Sequence, residues 1–308
     1  MSPKGANGPV VPCREAPELP NPVHSGSVGQ HLVDLTILVG GWILDRLDRV
    51  VARASLVGDP AFFDPAEFGW THALEAEWAT IRRELDSVLE RREALPNFQD
   101  ISTDQATITD DDRWKTFFLY GFGFRAESNC ERCPQTARLV AAVPGMQTAM
   151  FSILAPGKHI PDHCGPYKGV VRYHLALKVP RDSARCRIRV GNVETTWTEG
   201  ESLMFDDTYE HEVWNDTNQE RVVLFLDVTR PLRFPMDVVN RVVLRAIAAS
   251  PFVRDAKRRH RAWELSFNRP VVDRPRINQP GLPRGRLVPP ANARGPARGA
   301  TSRSSFEE

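Results

Sequence analysis

No stretch of this sequence stays apolar for long, and neither sign of charge prevails. The longest hydrophobic run, Leu35–Leu44 (LTILVGGWIL), lies between Asp34 and Asp45 and falls far short of the roughly 20 residues that cross a bilayer. It reads as a buried or partner-facing helix. Peripheral membrane contact stays open, but a transmembrane span is not expected. Lysine and arginine number 40 against 39 acidic residues, a net charge of +1 over 308 residues. So even a balance offers no electrostatic footprint for nucleic acid. Cysteine is scarce and odd in number, at positions 13, 130, 133, 164 and 186, which does not read as a secreted disulfide framework. Cys130-x-x-Cys133 has no second pair to complete a four-thiolate zinc site and reads as a turn. The N-terminus lacks the charged, apolar and cleavable regions of a signal peptide, so a cytoplasmic location is expected.

What is present changes character along the chain. Residues 1–28 are rich in Pro, Gly and small polar residues and read as a flexible arm. Residues 29–99 read as a helical region packed on the core. Leu74, Trp78, Ile81, Leu85, Val88 and Leu89 recur at helical spacing with charges between them, and Pro96 ends the pattern. Residues 100–250 form a β domain of short apolar runs: Phe117–Tyr120, Met150–Leu154, Val170–Val179, Cys186–Val190, Ser202–Phe205 and Val222–Val228. Turn residues such as Pro156-Gly157 and Gly165-Pro166 separate them, as in a barrel or jelly roll. Gly191-Asn192 reads as a hairpin turn, and Val238–Ala249 as a helix. Residues 251–308 are basic and rich in Pro, Arg and Gly, and are expected to be mostly disordered. The run Lys257–Arg261 within them reads as a solvated face.

Histidine carries the chemical signal. His159, His163 and His174 lie close together and His211 follows. Taken singly, each reads as a hydrogen-bonded core or surface residue. In a jelly roll, however, histidines far apart in sequence meet at the barrel mouth, and two neutral imidazoles with open positions suit iron. Arg172 and His174 stand two apart on one strand and so share a face. Arg221 opens the apolar strand VVLFLDV, where a buried guanidinium needs a carboxylate partner from the protein or a ligand.

Several ordered segments together resemble the aspartyl/asparaginyl β-hydroxylase family of 2-oxoglutarate dioxygenases. They are Phe151–Gly157 (FSILAPG), His163-x-Gly165-Pro166, Arg172-x-His174-Leu175, Trp197-x-x-Gly200, Phe205-Asp206-Asp207, His211-Glu212-Val213-Trp214 and Arg221. The resemblance covers about residues 112–231. It implies a mainly β fold, a double-stranded β-helix of the jelly-roll, cupin-like kind, with an N-terminal helical region. It also implies that His163 and His211 ligate Fe(II). Ser152, Arg172, His174 and Arg221 would bind 2-oxoglutarate, with Arg221 on its distal carboxylate. O2 is the oxidant, and His163, His211 and Arg221 are the expected catalytic set. Many related dioxygenases add a carboxylate two residues after the first histidine. Gly165 stands there instead, a gap the family shares and water is taken to fill. Asp162 or Asp206 is the alternative ligand.

The expected substrate is the β-carbon of Asp or Asn in a peptide or protein. Lys168, Arg187 and Arg189 are candidates for an acid-binding groove by sequence proximity. Three alternatives stand beside it: hydroxylation of a lipid acyl chain or small molecule, halogenation at the open iron site, and a non-catalytic binding module. Nothing in the sequence sets the oligomeric state.

Overall fold

The computed structural model describes residues 45–267. The arm at 1–28, the apolar run 35–44 and the tail beyond 267 lie outside the described residues.

The helices are α1 (45–54), α2 (Thr71–Ala76), α3 (Trp78–Leu89), α4 (Phe98–Ile101), α5 (Glu127–Arg132), α6 (Pro134–Ala141), α7 (Met236–Ala248) and α8 (Pro251–Phe267). The strands are β1 (Phe62–Phe63), β2 (Trp114–Gly121), β3 (Phe124–Arg125), β4 (Met146–Leu154), β5 (His159–His163), β6 (Val170–Lys178), β7 (Cys186–Val190), β8 (Val193–Thr196), β9 (Ser202–Phe205), β10 (His211–Asn215) and β11 (Arg221–Thr229). They form two antiparallel sheets, β1-β9-β6-β11-β4-β2-β3 and β5-β10-β7-β8, the two facing layers of a jelly roll. The expected strands are all there, and Gly191-Asn192 closes the β7–β8 hairpin, with Gly191 at φ 56° and Val190 paired to Val193.

Strand periodicity divides the core in two. On the outer face of the large sheet, Phe151, Ile153, Tyr173, Leu175, Val222 and Leu224 join Ile81 and Leu85 of α3 and Val140 of α6. The alternate residues Met150, Leu154, Ala176, Val223 and Phe225 point inward against Ile160, Ile188, Val190 and Val213 of the small sheet. Glu84 of α3 fastens the helical layer, accepting from the backbone N–H groups of Gln135 and Thr136 at 2.9 and 2.8 Å. These are unpaired donors of the first turn of α6.

The structure moves two boundaries. Within the expected helical region, Phe62 and Phe63 pair with Phe205 and Met204 at the sheet edge, because Pro60 and Pro65 interrupt the helix on either side. Within the expected tail, α8 runs to Phe267 and buries Val253, His260 and Phe267. Three apolar or aromatic anchors seven residues apart hold an otherwise highly charged helix. Its Phe267 stacks on Trp263 at 4.8 Å and lies under Arg91 of the α3 C-terminal region at 4.1 Å. Among the described residues no helix is long and apolar enough to cross a membrane.

Candidate active site

β5 and β10 are neighbours in the small sheet, and their register sets His163 directly opposite His211. The two imidazole centroids are 4.1 Å apart. Each ring is oriented by the carbonyl two residues before it. His163 Nδ1 donates to Pro161 O at 2.8 Å, and His211 Nδ1 donates to Tyr209 O at 3.0 Å. A carbonyl can only accept, so both rings carry the proton on Nδ1 and keep a lone pair on Nε2. Outer hydrogen bonds of this kind fix metal-binding histidines. Burial, aided by the nearby Arg172 cation, holds both imidazoles below their ordinary pKa, His211 furthest. Neutral imidazole is the metal-binding form. Among the described residues, three or more His, Cys, Asp or Glu side chains nowhere gather as metal donors. The pair is a two-donor arrangement.

The large sheet supplies the facing wall. Parity on β4, β6 and β11 turns Ser152, Arg172, His174 and Arg221 to the interior, while their neighbours Ile153, Tyr173 and Val222 face the helices. Ser152 Oγ accepts from Trp114 Nε1 at 3.1 Å, leaving its own O–H to donate elsewhere. His174 is buried among Trp197, Phe205 and Phe225, at 6.1, 5.2 and 5.4 Å, and neither ring nitrogen has a hydrogen-bond partner. Arg221 is 1% exposed, and its Nε and Nη1 have no hydrogen-bond partner either. Its guanidinium carbon lies 4.5 Å from the Trp197 ring centroid and its side chain touches the Cys186 thiol. Burial pulls the Arg221 guanidinium down to about 10, which still leaves it charged at neutral pH. Among the described residues no carboxylate forms an ion pair with it. A buried, uncompensated cation is costly and marks a place built for an anion.

Arg172 differs from Arg221, although both were expected to hold the same ligand. Its Nη2 pairs with Asp207 at 2.8 Å and its Nε with Asp227 at 3.0 Å. It therefore braces two buried carboxylates and has only its remaining N–H groups to offer.

Asp207 is a residue to which the sequence reading gave no role of its own. A Cβ built at Gly165 would fall inside the Asp207 carboxylate, and Gly165 N donates to Asp207 O at 2.6 Å. The space a side chain at position 165 would need is filled by a carboxylate from the β9–β10 turn. Burial pushes Asp207 up to about 7, against the pull of Arg172 and with the help of Asp227 and Asp206. The missing side chain at 165 was the one available signal. Asp206, one of the two expected alternative ligands beside Asp162, is engaged elsewhere. It bonds Arg230, Lys168 Nζ at 2.7 Å and Thr208. Burial raises its pKa, but Arg230 and Lys168 outweigh that and hold it low.

The sequence pattern defining the aspartyl/asparaginyl β-hydroxylase family matches residues 75–231, a span that holds both histidines and all four inward polar residues. The chain belongs to that family. It is 48% identical over 211 residues to an ornithine lipid ester-linked acyl 2-hydroxylase from Rhizobium tropici, covering 68% of this chain and 75% of that protein. It is 33% identical over 178 residues to the human aspartyl/asparaginyl beta-hydroxylase, covering 55% of this chain but 23% of that one. A Xenopus tropicalis aspartate beta-hydroxylase domain-containing protein 2 is 31% identical over 167 residues, 51% of this chain and 44% of that one.

Within this β-hydroxylase framework the three proposed groove cations are already paired. Lys168 bonds Asp59 and Asp206, Arg187 bonds Asp216 at 2.9 Å, and Arg189 bonds Glu210 and Glu212 at 3.0 and 2.9 Å. His159, given no role by sequence, stacks on Trp214 and bonds Glu212 at the surface. Cys130 and Cys133 are buried free thiols in the helical core.

Proposed function

We propose that the chain is an Fe(II)- and 2-oxoglutarate-dependent hydroxylase whose substrate is the acyl chain of an amphiphilic lipid. The observation that carries the cofactor reading is Arg221, a buried cation without a carboxylate partner among the described residues. Beside it His174, Ser152 and Trp197 Nε1 turn polar groups with spare capacity into the same interior. A small dicarboxylate satisfies that set: its distal carboxylate meets the guanidinium, and the Ser152 O–H and the His174 N–H donate to its remaining oxygens.

His163 and His211 would hold iron through the Nε2 atoms their backbone hydrogen bonds leave available. When bound, iron with 2-oxoglutarate and O2 supplies oxidation of an unactivated C–H bond, with succinate and CO2 as coproducts. The protein's part is placement and dryness. Phe205, Phe225, Val223 and Ile188 wall the interior, so the Arg221–carboxylate pair forms away from water, where it is strong and directional. Asp207 and Arg172 keep a second polar pair beside the histidines without occupying the anion position.

The lipid reading rests on the bacterial acyl 2-hydroxylase relative, whose match extends over three quarters of that protein. The pairing of Lys168, Arg187 and Arg189 removes the cationic groove that an acidic peptide would favour. The Asp/Asn reading retains the support of the family and the human relative, whose match is confined to a quarter of its length.

The test is succinate release under air with Fe(II), using ornithine lipid or Asp/Asn peptides as substrate, with mass spectrometry of the product. One oxygen added to the acyl chain, lost in H163A and R221A, is the expected result. Oxygen added to the peptide instead would overturn the lipid reading. Iron-independent turnover, or turnover unchanged in R221A, would overturn the cofactor reading.

A further inference from the structure

We propose that the outer face of α7 docks on an anionic phospholipid surface and carries the loop beside His163 to the bilayer. This deepens the lipid-acyl reading, and it stands on a different part of the molecule.

A surface helix ordinarily turns its charged side to water. α7 turns valines outward. Val238 and Val242, one turn apart, are 42% and 58% exposed, and Phe234 just before the helix is 82% exposed. The remainder of that stripe is Arg245 and Ala249, with Arg241 at its edge, all exposed. An exposed apolar stripe bordered by arginines fits the interface of a membrane, where apolar groups enter the acyl boundary and cations meet headgroup phosphates.

Charge decides which kind of surface it fits. Residues 233–264 carry eight Lys and Arg and three Asp and Glu, a surplus of five in a chain whose net charge is +1. All three acids are engaged. Asp237 pairs with Arg241 at 3.0 Å, Asp255 pairs with Arg258 and Arg259, and Glu264 accepts from Ser128 N at 3.0 Å. The cationic excess is therefore local to this helical pair, and a negatively charged bilayer complements it.

The inner face of α7 ties this surface to the site. Asn240 is fully buried. Its Oδ1 accepts from Tyr167 O–H at 2.9 Å and its Nδ2 donates to Gly169 O at 2.8 Å. That loop leaves His163 directly and leads into β6, which bears Arg172 and His174. One helix thickness, about 10 Å, thus separates the apolar stripe from the loop beside the histidine pair. A substrate that resides in a bilayer would be met without first being extracted into water.

Flotation of the full chain with vesicles, without iron or 2-oxoglutarate, tests docking apart from catalysis. The chain is expected to float with phosphatidylcholine–phosphatidylglycerol vesicles, and far less with phosphatidylcholine alone. V238D/V242D should reduce that partition by about tenfold or more, because both side chains lose an apolar seat. R241E/R245E should reduce it by a similar factor, about fivefold for each arginine, and added salt should imitate that change. Both valines are exposed, so thermal denaturation should be unmoved; V238S/V242S serves if it is not. With activity established, V238D/V242D should turn over lipid in detergent micelles normally and lipid in vesicles slowly. Equal flotation of wild type and V238D/V242D would overturn the proposal, as would no flotation with anionic vesicles. A dimer in sedimentation velocity that V238D/V242D dissolves, with no vesicle binding, would assign the stripe to a second copy instead. Loss of turnover in every format with flotation intact would count against the hydroxylase reading alone.

Discussion

Glycine at 165 and aspartate at 207 form one unit. A methyl group at 165 cannot coexist with the Asp207 carboxylate where it stands, so G165A should destabilise the fold by about 1–3 kcal/mol, the usual range for overpacking. Removing the obstacle should relieve it. In urea denaturation, G165A/D207A should lose less stability than the two single variants summed, with a coupling of about 0.5–3 kcal/mol. Strict additivity would mean the carboxylate yields freely. A second residue, His260, sets an acid limit on stability. It is buried against Phe118, Phe124 and Trp263, and burial lowers its pKa from 6.5 to about 4. The unfolded chain therefore binds the proton more readily. Its contribution is complete above about pH 6.5 and declines as pH falls toward 4, by about 3 kcal/mol over that window. Melting temperatures of wild type and H260L, taken at about pH 7 and about pH 5, should show a smaller drop in H260L.

At the scale of elements, strand parity and one helix do the positioning. Alternation on β4, β6 and β11 sends Ser152, His174 and Arg221 inward together. A one-residue slip would send them into the helical layer. The loop after His163 has no such ladder; Asp207 holds its start, and Asn240 of α7, with Arg230, holds its end. Both ends of the Asn240 amide are used there, so N240A leaves Tyr167 O–H without its buried acceptor, while Gly169 O keeps the Arg230 N–H. That should cost about 1–3 kcal/mol. It should also raise hydrogen exchange in residues 165–169 well before exchange in β4 and β11. Equal protection of loop and strands in N240A would show that the loop stands without the helix.

Among the described residues Arg221 is a buried cation with no carboxylate partner, the charge that the proposed function assigns to a ligand. Replacing Arg221 with methionine removes a buried cation that no described carboxylate compensates, so R221M should melt at or above the wild-type temperature when no ligand is present. Ligand should reverse that order. Iron with 2-oxoglutarate at about a hundred times Kd should stabilise wild type by about 2.7 kcal/mol. R221M should keep the increment due to iron and lose the increment due to 2-oxoglutarate; H163A should lose both. Thermal denaturation with iron alone, then with both, separates these outcomes. A destabilised R221M without ligand would mean that Arg221 is structurally compensated.

Strand positions, the Gly191-Asn192 hairpin, the apolar face of α3 and the shared strand face of Arg172 and His174 were legible in the sequence. Each rests on spacing within a few residues or on an ordered motif. The strand at Phe62–Phe63 and helix α8 were not, because their apolar anchors are too few to show a period and are held by distant partners. Tertiary structure alone decided that Arg221 has no carboxylate partner among the described residues while Lys168, Arg187, Arg189 and Asp206 are all paired, and that Asp207 fills the space at Gly165. Charge pairing and close approach are settled by residues tens of positions apart, and only the folded register brings those together.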